Sequence, residues 1–388
     1  MRTCFALLAC QVALALAAAA ARAGEPPLLR PAGTGDPLRA VALPFEPAHA
    51  TVLSRGAWSV TAAIGYANVW SVSDEVVLLH EAVGRAGEPL LSEELRLLER
   101  LEPDEDLYAL DLEGWRTDLF ASWGVHERVT VTLQVPFSVT GRPDWDGVAE
   151  SWHDLAGLPN ADREAVPRGA SLFYLHGPGG TVERRDLDGS GLGDVTLAAA
   201  TRLGRGLGAD HRVVLALEAP TGDRDTLRGS GGWDAGVRWL AVWEGSRVDV
   251  VGGAGLTWTS DDGALLGVPR ADPWHLMAGL DWRVWRGLTA TLRVAYERSP
   301  LDGFAGGRAG APALSERIGV AAPLGRDGWI AFELAEDSSS GVAPDFGFHL
   351  AVGTTIDCAE PPVGSLPRSR GRGRVGVANP PAAPPTSA

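Results

Sequence analysis

The feature that most constrains this chain is an alternation of apolar and polar residues that returns again and again along its length. The clearest instance runs from Val129 to Val139, where valine, leucine and phenylalanine alternate with threonine, glutamine and serine. A period of two is the period of a β-strand with one apolar and one polar face. Because the same pattern recurs at 248–258, 288–297 and 345–352, the sequence predicts a protein built from amphipathic strands.

Twelve such segments can be read along the chain, each about ten to fifteen residues long, which is the length that a tilted strand needs to cross a bilayer. An even number of antiparallel strands returns both ends of the strand region to the same side. The twelve segments are predicted to begin near Trp58, Leu107, Arg128, Asp194, His211, Trp233, Arg247, Trp274, Leu288, Ser315, Gly328 and Asp345.

The connections between these segments are alternately short and long. The short ones are 124–127, 204–210, 244–246, 286–287 and 325–327, and the long ones are 71–106, 140–193, 222–232, 260–273, 299–313 and 338–344. Short periplasmic turns opposite longer external loops are typical of an outer-membrane barrel, whereas a β-sandwich has no reason to sort its loops in this way. We therefore predict an all-β fold in which residues 57–356 form a single transmembrane antiparallel up-and-down β-barrel.

Tryptophan placement favours the same architecture, since many of the tryptophans fall at or near the ends of the predicted strands. Rings at the two membrane interfaces would explain this placement. Ordinary β-propensity and burial in a core are the alternative explanation. The tryptophans concerned are Trp58, Trp70, Trp123, Trp233, Trp243, Trp258, Trp274, Trp285 and Trp329.

The first residues resemble an export signal. Arg2 supplies a positive charge, residues 5–20 are apolar, and 21–23 read Ala-Arg-Ala. This order is typical of a secretory signal peptide spanning 1–23, with a lipoprotein signal ending at Cys10 as the alternative. The exported chain would keep Cys358 as its single cysteine, which excludes an intramolecular disulfide. No apolar stretch of about 20 residues follows the signal, which excludes a helical span.

Composition and local pattern assign the remaining segments and limit the partners. The formal net charge of −15 disfavours nucleic acid, because an acidic chain without a basic stripe repels phosphates. Residues 24–56 are rich in proline and are predicted to be a periplasmic or lumen-lining extension. Residues 92–101 have leucines at helical spacing, which fits a short loop helix or, equally, an extended hairpin. Residues 357–388 have the composition of a disordered tail.

The polar faces of the strands carry charges of both signs, and in a barrel those faces line the lumen. Unpaired charges in a dry interior are costly, so they must meet water or one another. Two interpretations stay open, a channel with mixed charge and a closed barrel with a salt-bridged core, because twelve strands lie between filled and open barrels in size. The candidates are Arg116, Asp118, Arg202, Glu218, Arg238, Asp249, Asp281, Arg283, Arg293, Glu297, Arg317 and Glu333.

Residues 186–194 resemble the first half of a calcium loop, with a glycine at the sixth position. The twelfth position is Leu197 rather than a bidentate glutamate, so a turn rich in glycine and aspartate is the alternative. Calcium is the one cofactor that the sequence suggests, and its candidate ligands are Asp186, Asp188, Ser190 and Asp194.

No catalytic motif is recognisable in the chain. None of the histidines lies in an H-E-x-x-H motif, and no G-x-S-x-G elbow is present, so we do not expect an enzyme. An outer-membrane hydrolase is therefore the least favoured of the functions considered. It stays open as an alternative, because a site assembled from distant residues would leave no local motif.

Two stretches of the chain resemble a known family. The first lies at 37–44 and leads into 58–60. The second runs from Ser151 to Arg163, reads Ser-Trp-His-Asp-Leu-Ala-Gly-Leu-Pro-Asn-Ala-Asp-Arg, and is followed by 191–197. Together they resemble an uncharacterised proteobacterial family of outer-membrane β-barrels, the domain of unknown function three-one-eight-seven. The resemblance implies location and architecture and transfers no catalytic residue. One departure is the last strand, which ends Thr354-Thr355-Ile356 rather than on an aromatic residue.

The sequence thus favours a monomeric barrel in the outer membrane of a Gram-negative bacterium, surrounded by lipid and forming a narrow pore for small polar solutes. Loop 140–193 would be the principal external or lumen-folding loop. A structural or surface-interaction barrel with a closed lumen is the second hypothesis. A soluble periplasmic ligand-binding barrel or sandwich is the third, and it would turn the apolar strand faces inward and the polar faces outward.

Overall fold

The computed structural model describes residues 28–356 except for short gaps, and its main feature is a closed sheet. The gaps are 32–36, 39–42, 45, 86, 142–144, 159–162, 164–170, 178–179, 261–265, 267–270, 286, 303–306, 326 and 338–345. The strands are β1 (Trp58–Val72), β2 (Leu107–His126), β3 (Val129–Thr140), β4 (Leu172–Gly177), β5 (Gly180–Arg184), β6 (Gly189–Leu192), β7 (Val195–Gly206), β8 (Ala209–Ala219), β9 (Asp234–Trp243), β10 (Val248–Thr259), β11 (Trp274–Trp285), β12 (Leu288–Glu297), β13 (Ala313–Leu324), β14 (Gly328–Asp337) and β15 (Phe346–Ile356).

Twelve of these strands form the barrel: β1, β2, β3 and β7 to β15. Each pairs antiparallel with the next barrel strand in sequence, and β15 pairs with β1, which closes the sheet. At the closure Trp58 is opposite Ile356 on β15 and opposite Trp123 on β2. The prediction of an all-β, antiparallel, twelve-stranded up-and-down barrel is therefore confirmed, and each barrel strand begins within two residues of its predicted start.

Both ends of the barrel chain lie at the end where the short turns are, which we call the short-turn end. The remaining elements belong to the long connections, which join the barrel strands at the opposite rim, the long-loop end. These are the helices α1 (Asp74–Ala82), α2 (Ser92–Leu101), α3 (Asp146–Ala156) and α4 (Gly307–Gly310) together with β4, β5 and β6. Residues 92–101 are helical, as one of the two alternatives predicted. The pairing of β4 with residues 107–111 of β2, and of β6 with the end of β3, was not predicted.

The apolar faces of the barrel strands point outward. On β3 the side chain of Leu133 is 42% exposed while its neighbour Gln134 is fully buried, and on β7 Leu197 is 51% exposed while Thr196 is fully buried. A water-soluble core would show the reverse, so the soluble barrel or sandwich is excluded. The outward surface has the polarity of a membrane-spanning barrel, apolar outside and polar inside.

Tryptophans cluster at the edges of this outer surface. Trp58 and Trp123 stack at the short-turn end with ring centroids 5.6 Å apart, and Trp233, Trp258 and Trp285 are exposed at strand ends. Two of the nine tryptophans assigned to the girdle by sequence are instead buried. Trp329 faces inward and packs with Phe120, and Trp70 lies beneath Arg163.

The helices of the structure are short. Within the ranges described above, none of them has the length and apolar composition that a membrane-crossing helix requires.

The outward orientation of the leucines can be tested by placing a charge among them. Leu215 lies near the middle of β8 and is 61% exposed, so Leu215→Arg should lower the free energy of unfolding in lipid vesicles by about 2–4 kcal/mol. Leu207→Arg is the matched control, because Leu207 is 96% exposed in the turn after β7, and it should change the free energy little. Equal effects of the two substitutions in urea titrations would contradict the assignment of faces.

Candidate functional site

The polar faces of the strands line the inside of the barrel, and the predicted lumen residues lie there. Arg202, Arg283 and Glu297 are partly exposed. The other nine of the twelve are buried: Arg116, Asp118, Glu218, Arg238, Asp249, Asp281, Arg293, Arg317 and Glu333.

The lumen is occupied by the chain's own N-terminal segment. We call this segment the plug, meaning the described residues among 28–57. Its side chains are buried even though the segment belongs to no strand, and they include Leu29, Arg30, Leu38, Leu43, Glu46 and His49. The described part of the proline-rich extension predicted at 24–56 therefore lies in the lumen, and the predicted signal peptide at 1–23 and tail at 357–388 lie outside the described residues.

The plug passes through the lumen twice. Traced backward from Ala57, the plug enters the lumen at the short-turn end, where the backbone N–H of Leu53 donates to Thr130 Oγ1 at 2.8 Å. At the far end Leu38 packs with Leu110 and Phe173 near the long-loop rim. Still traced backward, the chain then returns toward the short-turn end. The return is shown by the hydrogen bond that Thr51 Oγ1 donates to the carbonyl oxygen of Leu29 at 3.4 Å, which joins the two passes. The plug pairs with no barrel strand in the described region.

Three arginines of the barrel wall hold the plug by its main-chain carbonyl oxygens. Arg238 Nη2 donates to the carbonyls of Leu43 at 3.2 Å and Pro44 at 2.7 Å. Arg212 Nη1 donates to that of Ala50 at 3.0 Å and Arg293 Nη2 to that of Leu28 at 3.2 Å. An arginine has five N–H donors and no acceptor, so these carbonyls satisfy donors that would otherwise need water.

An ion pair also joins plug and wall. Arg30 Nη1 lies 2.8 Å from Asp281 Oδ2, and Asp281 Oδ1 accepts from Arg293 Nη2 at 2.6 Å. The side chains of Arg30 and Asp281 are 2% and 4% exposed. Removal of one partner from a buried pair leaves an uncompensated charge and typically costs about 3–5 kcal/mol, so a substitution of Arg30 or Asp281 alone should weaken docking of the plug strongly.

His49 is the plug's only described histidine, and it sits against the wall in mid-lumen. Its Nε2 lies 2.8 Å from Gln134 Oε1, and its ring is 5.9 Å from that of Phe120. The charges of Arg238 and Arg116 also act on this side chain. A proton added here would place a third positive charge in a buried site.

Several other wall charges pair within the wall. Arg116 Nε donates to Asp118 at 3.0 Å and Gln134 Nε2 donates to the same carboxylate at 2.7 Å. Arg283 Nη2 lies 2.6 Å from Asp249. Long side chains can lie flat because glycines face them: a Cβ at position 279 would be 2.6 Å from Arg293 Cδ. The wall is thus salt-bridged along its own surface, which leaves the centre to the plug.

One part of the wall is apolar rather than charged, which the sequence interpretation missed. Val214, Leu240, Val251 and Met277 face inward and pack against plug residues such as Leu43. The signal was present as unbroken apolar runs, 213–217 on β8 and 239–243 on β9. Such a run indicates a strand buried on both faces, and the second face here is covered by the plug.

The long-loop end of the lumen is covered by an apolar cap. Leu110, Phe173, Leu187 and Leu227 cluster there around Leu38 of the plug. Next to this cap, β4 joins the barrel rim to α2 through Tyr174, whose hydroxyl donates to Glu99 at 3.2 Å. Burial and the nearby Glu99 carboxylate raise the pKa of Tyr174, so this donor keeps its proton at neutral pH.

Part of loop 140–193 lies neither in the lumen nor beyond the rim, but on the outer wall. Trp145, just before α3, contacts the outward rings of Trp115 and Phe348 at 5.5 Å each. Within α3, Trp152 Nε1 donates to Glu336 at 2.9 Å and His153 lies 3.2 Å from the same carboxylate. Within the run 151–163 that carries the family resemblance, Trp152 and His153 thus pack on the barrel exterior.

The calcium-loop candidates are not brought together. Asp194 accepts from the backbone N–H groups of Gly222 at 2.7 Å and Ser230 at 2.5 Å, and Ser190 lies in β6. In the parts of the chain that the structure describes, no three acidic, histidine or cysteine side chains group as metal ligands would. Asp194 therefore connects loop 222–232 to the start of β7 by hydrogen bonds. Asp186 lies elsewhere, in a charged surface pocket that Arg96 and Glu183 also line.

Comparison with known proteins gives a family. Residues 102–355 match the model of a family described as a protein of unknown function (DUF3187). The match covers more than half of the chain, so the chain belongs to this family, and the resemblance seen in the sequence is confirmed. A search of curated proteins returned no match.

Several solved structures are similar in fold. The COG4313 outer membrane channel from Pseudomonas putida F1 is 14% identical, with a TM-score of 0.49 over 81% of this chain and 100% of that one. The KdgM porin in complex with disordered oligogalacturonate is 7% identical, with a TM-score of 0.35 over 65% and 97%. The translocator domain of the autotransporter NalP from Neisseria meningitidis is 11% identical, with a TM-score of 0.39 over 82% and 93%. At TM-scores below 0.5 these similarities carry no information on a solute.

Docking of the plug should depend on pH through His49. In the undocked plug this side chain is solvated and titrates near its ordinary pKa of about 6.5, whereas the docked site holds it buried beside Gln134 with Arg238 and Arg116 acting on it. The undocked state then binds more protons, so docking is strongest above about pH 6.5 and weakens as the pH falls. Cleavage between residues 43 and 53 by proteinase K, a protease of broad specificity that stays active at pH 5, should accelerate on acidification of the detergent-extracted protein, after division by the rate on an unfolded substrate at the same pH.

His49→Gln is the matched control for this pH dependence, because it keeps a polar partner for Gln134 and removes the titrating ring. Its cleavage rate should change less between pH 7 and pH 5 than that of the unaltered protein. Identical pH profiles for the two would contradict a role for His49.

Proposed function

We propose that this protein is an outer-membrane channel for small polar solutes that its own N-terminal plug holds closed. The observation that carries the proposal is that a lumen lined by charged side chains is filled by a segment outside the wall, held there by single side-chain contacts and not by strand pairing. Such contacts break one at a time without opening the barrel. The proposal includes no catalytic step.

Several features support a membrane location. Large apolar side chains cover the outside of the barrel, with Leu119, Leu215 and Ile318 each more than half exposed. Monomeric soluble proteins rarely expose an apolar surface of this continuity. Lipid is therefore the expected surrounding of the barrel, with the short-turn end in the periplasm and the long-loop end outside. The barrel closes within one chain, which fits a monomer.

The size of the barrel supports a conduit once the plug has moved. Eight-stranded barrels are filled by their own side chains and barrels of sixteen or more strands hold open channels. Here the wall charges pair along the wall, as Arg283 does with Asp249, and two passes of the plug fill the middle. Removal of the plug leaves space between wall side chains that are in part paired and polar, as at Arg283 and Asp249, and in part able to bind water or solute in place of the plug, as at Arg238.

A closed structural barrel is the second candidate, and one observation favours it. The long-loop end is covered by the apolar cluster around Leu110, Phe173 and Leu227, so an opening there requires that the cap also move when Leu38 withdraws. Conductance separates the two candidates, because a barrel with a permanently filled lumen carries no current.

Charge reversal at the plug tests the channel. Arg30→Glu places a carboxylate against Asp281, and the open fraction in planar bilayers should rise by roughly tenfold or more, since each 1.4 kcal/mol is a factor of about ten in an equilibrium. The double variant Arg30→Glu/Asp281→Arg restores opposite charges and should return the current toward that of the unaltered protein. Arg298→Glu, which breaks a rim ion pair with Asp302, is the control and should leave the current unchanged.

Absence of current from the Arg30→Glu variant in correctly folded protein would refute the channel. A current that the double variant does not reduce would show that docking does not depend on this ion pair.

Membrane location has its own test. The mature chain should fractionate with outer membranes, and after detergent extraction it should migrate differently on a gel with and without heating, because a closed barrel with all twelve strands paired resists unfolding at room temperature. Recovery of the chain in the soluble periplasmic fraction would contradict the proposed location.

A further inference from the structure

The contacts between wall and plug show which chemistry the lumen recognises. Four hydrogen bonds from the wall to the plug are made to backbone carbonyl oxygens, by Arg212, Arg238 and Arg293. A fifth accepts a backbone N–H, from Leu53 to Thr130. Contacts to main-chain groups recognise a polypeptide whatever its side chains are, so the wall is suited to bind a peptide chain, here one that includes a short 3-10 turn at Pro47–Ala50.

The arginines follow one another along the barrel axis. Arg212 on β8 is opposite Leu240 on β9, and Arg238 is the next inward-facing residue of β9 toward the long-loop end. They hold Ala50 and the pair Leu43 and Pro44 in that order. A chain that runs along the axis therefore meets one donor group after another.

The side-chain contacts add two further requirements. The inward apolar patch of Val214, Leu240 and Met277 accommodates leucine side chains, and Asp281 binds the guanidinium of Arg30. An apolar patch is poorly matched to a sugar or an inorganic anion, because polar groups lose hydration there without a compensating hydrogen bond. A peptide that carries both apolar and basic side chains satisfies the carbonyl, apolar and cationic contacts together.

We infer that the lumen is a binding site for oligopeptides bearing leucine-like and basic side chains, and that the plug occupies this site as an internal competitor. The inference rests on the proposed function and specifies its solute class. Displacement of the plug exposes the Arg212, Arg238, Arg293 and Asp281 contacts together, and an incoming peptide replaces the oxygen acceptors and the cation that the plug withdraws.

The test uses the Arg30→Glu variant in planar bilayers and a capped tetrapeptide with the sequence Leu-Leu-Arg-Pro of residues 28–31. The peptide should block the current. A Leu-Leu-Gln-Pro peptide should need roughly tenfold more for the same block, because loss of about 1.4 kcal/mol corresponds to a factor of ten in affinity. Glucose and inorganic phosphate at equal concentration should block far less.

Substitutions in the wall locate the block. Asp281→Asn in the Arg30→Glu background should abolish the preference for the arginine peptide over the glutamine peptide. Asp302→Asn in the same background is the matched control, since Asp302 pairs with Arg298 at the rim, and it should preserve the preference. A preference that survives Asp281→Asn, or equal block by glucose, would overturn the inference.

Failure of the inference can be distinguished from failure of the channel. A variant that conducts but is not blocked by the peptide overturns the inference and leaves the proposed function standing. If the variant does not conduct, the channel fails, and binding is then measured by fluorescence anisotropy of dye-labelled peptide on detergent-extracted protein. Arg30→Glu should bind at least about tenfold more tightly than the unaltered chain, because its plug competes less well. Equal or undetectable binding to both overturns the inference.

Discussion

Closure of the sheet between β15 and β1 is the constraint on which the rest of the structure depends. A membrane interior offers no hydrogen-bonding partner to a free strand edge, so a spanning sheet must pair every strand. The antiparallel ladder from Trp58 and Ile356 around the barrel meets that demand. Closure also fixes the faces: with a period of two, Leu133 and Leu197 point outward only if Gln134 and Thr196 point inward. The polar interior is thus a consequence of the apolar exterior.

A polar interior of this size has to be satisfied, and the wall does so only in part. Arg116 pairs with Asp118 and Arg283 with Asp249 along the surface, but Arg238 and Arg212 reach toward the centre and donate to the plug. The plug therefore supplies acceptors to these wall donors while remaining separate from the sheet. In the proposed channel this separation is what allows reversible closure, because undocking exchanges carbonyl and carboxylate partners for water or solute and disturbs no strand.

Much of the barrel could be predicted because its signals are local. Leu107, Trp274 and Leu288 begin strands at the predicted positions, since alternation and turn residues specify a strand without reference to its neighbours. The path of the plug could not be predicted, because proline-rich residues 28–57 have no periodicity and their partners, such as Thr130 and Asp281, are distant in sequence. The packing of Trp145 on the outer wall was missed for the same reason. The apolar patch at Val214 does not follow from alternation, because residues 213–217 form an unbroken apolar run.

Nitroxide labels at each position from 213 to 218 on β8 test the plugged barrel most directly. The labels are placed one at a time in a background without Cys358, and the protein is studied in lipid vesicles. Oxygen, which dissolves in lipid, and a water-soluble nickel complex then report the surroundings of each label. If the barrel lies in lipid with the plug in its lumen, positions 213, 215 and 217 are accessible to oxygen. Positions 214, 216 and 218 are then accessible to neither reagent, because the plug covers them. Access of the nickel complex to the even positions would contradict a plugged lumen, and the absence of any alternation would contradict the barrel itself.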